Sequence, residues 1–316
     1  MEKLTSWLLK EPAGVMPILD KWIFFFLKII YVGIRFIIKI VLGKERRDAL
    51  YVKRGIHFND SFGPSFYFMS FLYKAIKFLR LSNPVSLRII VPKYNYKVLC
   101  PINKDEIINM TTREDDIIEH FTPKEGDVVV DVGSNIGRYT IIASKRVGIN
   151  GKVVSIEAHP KNFEMLNSNI KLNQLTNIIP FNYAAYSKET KIKLYVPDEE
   201  SGYTIYHTLM ERTGKKFVEV DAITLDYLLL QLNGGSGEGV KVNWIKIDVE
   251  GAEFEVLKGA TRILSTNKDI ALLIEIHGPD NYRPIVEFLS SYDFKIDFEK
   301  TYDTGDRHII LRKRMN

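Results

Sequence analysis

The fold is decided by the stretch Val128-Val129-Val130-Asp131-Val132-Gly133-Ser134-Asn135-Ile136-Gly137. Its run of β-branched residues predicts a buried strand, and its two glycines predict a tight turn into a helix. One crossover later, Val153-Val154-Ser155-Ile156-Glu157 predicts a second strand that ends in an acidic residue. Parallel pairing would bring Glu157 beside the turn, where its carboxylate could accept hydrogen bonds from both hydroxyls of a ribose. The pattern therefore indicates a site for a nucleoside cofactor.

The spacing of the glycines distinguishes between cofactor classes. A dinucleotide-binding turn reads G-x-G-x-x-G, because its middle glycine makes room for a pyrophosphate. Here three other residues separate Gly133 from Gly137, which argues against a nicotinamide dehydrogenase. With Asp131 on the preceding strand, the turn instead resembles the first motif of class I S-adenosylmethionine-dependent methyltransferases. That resemblance implies S-adenosylmethionine as the cofactor and Glu157 as the ribose-binding acid.

A second block, Lys246-Ile247-Asp248-Val249-Glu250-Gly251-Ala252-Glu253, predicts a strand that ends at Asp248 and a helix after it. Together the two blocks resemble the FkbM-type methyltransferase family, over roughly residues 95 to 312 by the ordered spacing of the motifs. Further segments fit the family pattern: Ile156–Pro160, Asn169 and Asn173, Thr224–Asp226, and Ile274–His277.

The alternation of strand and helix patterns predicts an α/β protein with a parallel sheet covered on both faces. Strands are expected near 128–132, 153–157, 178–182, 243–248 and 271–276, and helices near 137–147, 161–173, 224–232 and 252–264. The resemblance adds strands near 294–298 and 307–312, the last antiparallel. It implies a Rossmann-like class I methyltransferase fold, with a mostly parallel seven-stranded sheet and an N-terminal helical extension.

Smaller elements surround this predicted core. Short strands at 87–91 and 96–99 and a helix at 114–121 precede the first core strand. An inserted hairpin is expected from Ile192–Val196 and Phe217–Val220. Its long loop, which contains Tyr203, Tyr206 and His207, could cap the acceptor.

The carboxyl ends of the strands form the predicted cofactor site. The expected cofactor-binding residues are Asp131, Gly133, Ser134, Asn135, Gly137, Glu157, Ala158, His159, Asn182, Ala184 and Asp248.

Methyl transfer to oxygen requires an aligned nucleophile and a group that takes its proton. The first candidate is His277, because an unperturbed imidazole pKa of about 6.5 suits a base at neutral pH. Glu275 lies two residues earlier on the same side of the extended chain. Asp248 is the second candidate, as a base or as the group that orients the acceptor, whereas Glu250 could simply cap a helix. A purely structural His277 in a loop is the alternative.

Asp248, Glu250 and His277 could instead form a metal-ligand set, since carboxylates and imidazole are common ligands. One sequence does not show whether the three side chains converge. We expect no metal, and activity that survives dialysis against a chelator would exclude a metal requirement.

The N-terminal part, residues 1–85, is expected to be a helical extension to a methyltransferase domain at 86–316. Ile18 to Leu42 is largely apolar, and its cations Lys21, Lys28, Arg35 and Lys39 fall within roughly 40° of one another on a helix. A transmembrane helix would place three of these cations inside the bilayer, and its summed free energy of insertion would lie near zero. We therefore favour a basic amphipathic helix at a membrane surface. Packing against a second apolar segment, Ser65–Arg80, or against another subunit in a homo-oligomer is the alternative.

Composition limits the remaining possibilities. The chain has 316 residues, a formal net charge of +5 and a single cysteine, Cys100, which excludes an intrachain disulfide. The mild charge gives no reason to expect a nucleic-acid partner. No cleavable secretion signal is evident. We expect a cytoplasmic enzyme, peripherally bound to the inner face of the membrane.

The favoured activity is O-methylation of a sugar hydroxyl in a glycan or glycolipid acceptor. The alternatives are methylation of a lipid or polyketide-like small molecule, or a binding protein that keeps the cofactor fold without turnover.

Overall fold

The computed structural model describes residues 86–101, 109–111, 113–195, 217–232, 234, 241–302 and 305–313. The chain divides into two compact units, residues 1–88 and 89–316. The predicted membrane-surface helix lies outside the described residues, so the domain division and the helical extension stay predictions. No helix in the described ranges is both long and apolar enough to cross a membrane.

The strands and helices of the described residues follow the predicted alternation. Their order is β1 (Ser86–Val91), a short 3-10 helix (Pro92–Tyr94), β2 (Tyr96–Pro101), α1 (Asp115–His120), β3 (Val128–Val132), α2 (Arg138–Val147), β4 (Lys152–Ile156), α3 (Pro160–Leu172), β5 (Ile178–Phe181), β6 (Ala184–Ala185), β7 (Thr190–Tyr195), β8 (Phe217–Ile223), α4 (Leu225–Leu232), β9 (Trp244–Ile247), α5 (Glu253–Lys258), α6 (Thr261–Thr266), β10 (Ala271–Ile276), α7 (Pro279–Ser290), β11 (Phe294–Thr301) and β12 (Arg307–Lys313).

The large sheet has seven strands in the order β11-β12-β10-β9-β3-β4-β5. Strands β10, β9, β3, β4 and β5 are mutually parallel, and β12 runs antiparallel to both β10 and β11. Strands β3 and β9 are almost wholly buried, as expected for the centre of a sheet covered by helices. The class I methyltransferase fold predicted from the sequence is therefore confirmed, including the antiparallel last strand.

Asparagines of α3 attach the two-stranded sheet β1-β2 to the turn after β3. The Asn169 amide donates to the carbonyls of Leu99 (3.1 Å) and Ile136 (2.8 Å), and its oxygen accepts the Leu99 N–H. Asn173 makes the corresponding pair of hydrogen bonds with the backbone of Lys97. Asn169 is fully buried, and these backbone partners satisfy its amide group.

The predicted single helix at 252–264 is wrong, because the chain forms two helices, α5 and α6. They separate at Gly259, where an added Cβ would lie 2.1 Å from the carbonyl oxygen of Tyr186. The backbone of a distant segment therefore lies against the break between the two helices. Only glycine allows the contact, and no local sequence signal identifies its partner.

The inserted hairpin is longer than predicted. β7 pairs antiparallel with β8, and the short strand β6 adds a parallel edge to give a second sheet, β6-β8-β7. Leu194, Val220 and Ala222 form the small apolar core of this sheet. The loop with Tyr203, Tyr206 and His207 lies outside the described residues, so its role as a cap stays a prediction.

Replacing Gly133 by alanine tests whether the glycine turn after β3 packs directly against the backbone at the end of β9. A Cβ there would lie 1.7 Å from the backbone oxygen of Asp248, and the residue has φ +74°. We expect Gly133→Ala to lose about 1–2 kcal/mol from the left-handed backbone and a further ~1–3 kcal/mol from the overpacked contact. Urea denaturation measures the loss.

Gly126→Ala is the matched control, because Gly126 has φ +83° but its added Cβ would meet nothing within 4 Å. Equal losses of unfolding free energy in the two variants would contradict the contact.

Candidate active site

A cleft opens at the carboxyl ends of the central strands, where the order of the parallel sheet reverses between β3 and β9. Its volume is about 1090 Å³, including the solvent-filled space at its open mouth. Of the residues predicted from the sequence, those that line it are Gly133, Ser134, Asn135, Glu157, Ala158, Ala184, Asp248 and Glu275. The structure thus brings most of the predicted site together.

Glu157 is held against the glycine turn by the backbone. Its two carboxylate oxygens accept the N–H groups of Asn135 and His159, each at 2.8 Å. The turn itself is fixed because the N–H groups of Gly133 and Ser134 both donate to the carbonyl of Ile156. Burial raises the pKa of Glu157 to about 7, although these hydrogen bonds favour the charged form. The result is a rigid, buried acceptor at the cleft wall.

Two of the predicted cofactor residues lie beneath the turn and do not line the cleft. Asp131 is 1% exposed, its carboxylate accepts the Thr140 hydroxyl at 2.5 Å, and it lies 3.7 Å from Lys246 Nζ. Gly137 begins α2, and an added Cβ would lie 2.7 Å from a methyl of Leu166. The geometry gives both residues a role in building the turn, and their direct contact with a cofactor stays a prediction.

His159 and Asn182 also lie outside the cleft lining. The Asn182 amide donates to the carbonyls of Glu157 (2.8 Å) and Ala158 (3.0 Å), and so holds the turn after β4. His159 is buried at the start of α3 and contributes its backbone N–H to Glu157. Both residues donate a hydrogen bond to Glu157 and so hold it in place.

His277 has a different protonation state from the one expected. Its Nδ1 lies 2.8 Å from the fully buried Glu253 carboxylate, and its Nε2 lies 3.5 Å from Glu250 and 3.8 Å from Glu275. Burial lowers the pKa of His277, but the hydrogen bond that its Nδ1 donates to Glu253 and the carboxylates of Asp248, Glu250 and Glu275 raise the pKa to about 10. The expected imidazole pKa near neutrality is therefore wrong, since a ring that holds both protons cannot accept another.

A second buried histidine, His308, was missed by the sequence reasoning. Its Nε2 lies 3.3 Å from Glu275 and 3.7 Å from Glu114, and Glu114 also accepts the Tyr139 hydroxyl at 2.9 Å. Burial lowers the pKa of His308, but these two carboxylates raise it to about 9. Glu275 consequently lies between two protonated histidines. Nothing in the sequence pairs Glu114, before α1, with a histidine on the last strand.

The side chains of the metal alternative do converge. Asp248, Glu250 and His277 each offer a ligand atom within 4.8 Å of the others. The second histidine, with Glu114 and Glu275, forms a similar group. That catalysis needs no metal stays a prediction, which activity after dialysis against a chelator tests.

Lys246 links the two sequence blocks. Its ammonium donates to the carbonyl of Gly133 (3.1 Å) and to Asp248 (3.2 Å). Burial lowers its pKa, but the carboxylates of Asp248 and Asp131 raise the pKa well above the ordinary value. A permanently charged lysine therefore ties the glycine turn to the end of β9.

Arg138 fixes the other edge of the cleft. Its guanidinium donates to the carbonyls of Asn109 and Arg113 and to the Asp115 carboxylate, the last at 2.9 Å. The segment it holds supplies Asn109, Met110, Arg113 and Glu114 to the lining.

The fold and the cleft define a class I methyltransferase. The model of the methyltransferase FkbM domain matches residues 131–296, more than half of the chain. The chain belongs to the FkbM methyltransferase family, and it is an S-adenosylmethionine-dependent methyltransferase.

The chain is similar to individual proteins over part of its length. The chain is 30% identical over 193 residues to the hexuronic acid methyltransferase AglP of Haloferax volcanii, across 61% of this chain and 73% of the relative. It is 26% identical over 215 residues to methyltransferase sdnD of Sordaria araneosa, across 59% of this chain and 80% of the relative. A solved methyltransferase FkbM from Methylobacillus flagellatus KT is similar at a TM-score of 0.44 and 19% identity, over 60% of this chain and 44% of that one.

The raised pKa of His308 predicts how stability depends on pH. The folded protein binds this proton more tightly than the unfolded chain, whose histidine pKa is 6.5, and the folded value is about 9. The stabilisation is therefore full below the unfolded pKa and is lost as pH rises through the folded one. We expect the difference in melting temperature between wild type and His308→Gln to shrink across this range.

His120→Gln is the control, because His120 lies exposed on α1 and stacks on Phe298. A difference between wild type and His308→Gln that stays constant with pH would contradict the paired, protonated His308.

Proposed function

We propose that this enzyme transfers the methyl group of S-adenosylmethionine to a sugar hydroxyl of a glycan or glycolipid. The observation that carries the proposal is one cleft lined by five carboxylates, Glu114, Glu157, Asp248, Glu250 and Glu275. Ionised carboxylates are hydrogen-bond acceptors and therefore suit a ligand rich in hydroxyls. The hexuronic acid methyltransferase AglP, a relative named for a sugar substrate, supports the same acceptor class.

The glycine turn fits the nucleoside half of the donor. Glu157 uses two acceptor positions on backbone N–H groups, and a carboxylate has about four. The side-chain oxygen of Asn135 is buried at the cleft without a hydrogen-bond partner among the described residues. Both groups can be satisfied by a bound adenosine. When bound, the donor supplies an electrophilic methyl carbon, and the protein aligns the acceptor and removes its proton.

Glu157→Gln tests the donor site. An amide cannot accept from both backbone N–H groups, and it weakens acceptance from ribose hydroxyls. Because a hydrogen bond to a charged group contributes about 1.5–3 kcal/mol, we expect a loss of S-adenosylmethionine affinity of roughly 10- to 100-fold. Titration calorimetry measures it, with the exposed Glu164→Gln on α3 as a control. Unchanged affinity in Glu157→Gln would contradict the site.

The acceptor class is tested by incubating the enzyme with methyl-labelled S-adenosylmethionine and a cell extract. We expect the label in methyl ethers of sugars, identified by hydrolysis and mass spectrometry. Label found instead in a lipid or polyketide-like molecule would replace the proposed acceptor.

We also propose that the enzyme works at the cytoplasmic face of a membrane. Support comes from the stripe of Lys21, Lys28, Arg35 and Lys39 along an apolar segment, which lies outside the described residues. Cations on one helix face attract anionic headgroups, each by about 1 kcal/mol near the surface.

Replacing those four cations with glutamine should therefore abolish flotation of the full chain with anionic liposomes. Equal flotation of both proteins would contradict the proposal. A loss of self-association, measured by sedimentation, would favour an interface between copies.

A further inference from the structure

The two ends of the cleft lie over different strands of the large sheet. Glu157 directly follows β4, whereas Glu275 lies on β10, and β9 and β3 separate these two strands in the sheet. Both residues line the cleft. In the proposed reaction the ribose of the methyl donor occupies the Glu157 end. The acceptor therefore occupies the end over β10.

A segment that begins before α1 forms a wall at this β10 end. Four of its residues line the cleft, and we call them the α1 wall: Asn109, Met110, Arg113 and Glu114. His308 on β12 shows where the wall lies, because its Nε2 is 3.7 Å from Glu114 and 3.3 Å from Glu275. The wall and the end of β10 therefore face the same part of the cleft.

The α1 wall adds a cation and an amide to a cleft lined by carboxylates. The Arg113 side chain keeps 50% of its surface exposed, and its Nη1 donates to Asn109 Oδ1 at 3.0 Å. A guanidinium has five N–H donors in a fixed fork, so it can hold Asn109 and a ligand together. A sugar hydroxyl both donates and accepts hydrogen bonds. The wall can therefore donate to the hydroxyls of an acceptor while the carboxylates accept from them.

Arg138 holds the α1 wall against the glycine turn. It is the first residue of α2 and directly follows Gly137. Its Nη1 donates to the carbonyls of Asn109, at 2.5 Å, and of Arg113. Its Nη2 donates to Asp115, just beyond the wall, at 2.9 Å. One buried guanidinium thus fixes both ends of the wall to the turn that is proposed to bind the donor.

A second buried group fixes the middle of the wall. The hydroxyl of Tyr96, on β2, donates to the carbonyl of Met110. The Asn169 amide in turn joins β2 to the glycine turn, because it donates to the carbonyls of Leu99 and Ile136. The wall is therefore connected to the same turn by two separate routes.

We propose that the α1 wall binds the hydroxyl-rich acceptor, with Arg113 as a hydrogen-bond donor to it, and that Arg138 is the positioning residue that sets the distance of the wall from the methyl donor. The inference rests on the proposed sugar O-methylation. In-line attack requires the acceptor oxygen about 3–3.5 Å from the methyl carbon, and a misplacement of about 1 Å can cost roughly 10²-fold in rate. A rigid link between donor turn and acceptor wall meets this requirement.

The test compares Arg138→Lys and Arg113→Gln with wild type, using the full chain, methyl-labelled S-adenosylmethionine and a polysaccharide and glycolipid extract. For Arg138→Lys we expect the rate at low extract concentration to fall about 10- to 100-fold, because an ammonium lacks the planar fork that reaches three partners. For Arg113→Gln we expect the extract concentration at half-maximal rate to rise roughly 10-fold, with the maximal rate kept.

Calorimetric affinity for S-adenosylmethionine separates these effects from damage to the donor site. It should stay within about threefold in both variants, since Glu157 is unchanged and only acceptor binding or alignment is lost. Arg283→Gln is the control for both, because Arg283 is exposed on α7 and pairs with Glu287.

Rescue by a free cation tests the positioning role of Arg138. In Arg138→Ala, guanidinium chloride at millimolar concentrations, well below those that unfold proteins, should raise the rate, because free guanidinium can occupy the vacated position. The same addition should leave wild type and Arg283→Gln unchanged.

Three results would overturn the inference. One is a rate close to wild type in Arg138→Lys. Another is a loss of S-adenosylmethionine affinity in Arg138→Lys that accounts for the whole loss of rate, which would make Arg138 a support of the donor site alone. The third is an unchanged half-saturating extract concentration in Arg113→Gln, and this variant decides alone if circular dichroism shows that Arg138→Lys does not fold. Absence of label from sugars in the wild type is a different failure, that of the proposed function, and it is seen before any variant is compared.

Discussion

The buried ammonium of Lys246 is the interaction on which the site depends. Lys246 belongs to the second sequence block, and its ammonium contacts the Gly133 carbonyl of the first block, more than a hundred residues away, as well as Asp248 and, at 3.7 Å, Asp131. Lys246 and Asp131 occupy paired positions on the adjacent strands β9 and β3. A buried cation must be compensated, so this geometry locks the strand register, the glycine turn and the end of β9 into one unit. The cleft is consequently preorganised before any ligand arrives.

Acidic and basic side chains occupy different positions around the cleft. Carboxylates line the cleft, whereas His277 and His308 lie behind it and are shared among Glu114, Glu250, Glu253 and Glu275. The protonated histidines partly neutralise the acids without occupying the cleft. Burial raises the pKa of Glu157 to about 7, and burial with the neighbouring Asp248 raises the pKa of Glu250 to about 8, whereas the His277 cation lowers the pKa of Glu250. Buried groups with such values are typical of active sites.

Much of this architecture follows from local sequence. The β-branched run at β3, the glycines after it and the acid after β4 were enough to predict the parallel sheet and the position of Glu157. The same local patterns do not predict contacts between segments that are distant in the sequence. The break between α5 and α6 depends on the approach of the Tyr186 carbonyl, and the Glu114–His308 pair joins two parts of the chain that share no periodicity.

The protonation state of His277 could not be predicted from the sequence. The sequence shows that His277 follows Glu275. Its protonation, however, depends on Glu253 and Glu250, which contact the ring only in the folded turn. A pKa depends on burial and neighbouring charge, and neither is a property of the residue type. The likeness to a family supplied the class of reaction, whereas the charge around each acidic side chain of the cleft required the folded geometry.

A crystal structure with S-adenosylhomocysteine tests the account most directly. We predict that both ribose hydroxyls lie on the Glu157 carboxylate and that the sulfur is directed towards the wall formed by Asp248 and Glu250. A ligand bound elsewhere, or in this cleft with its ribose away from Glu157, would contradict it.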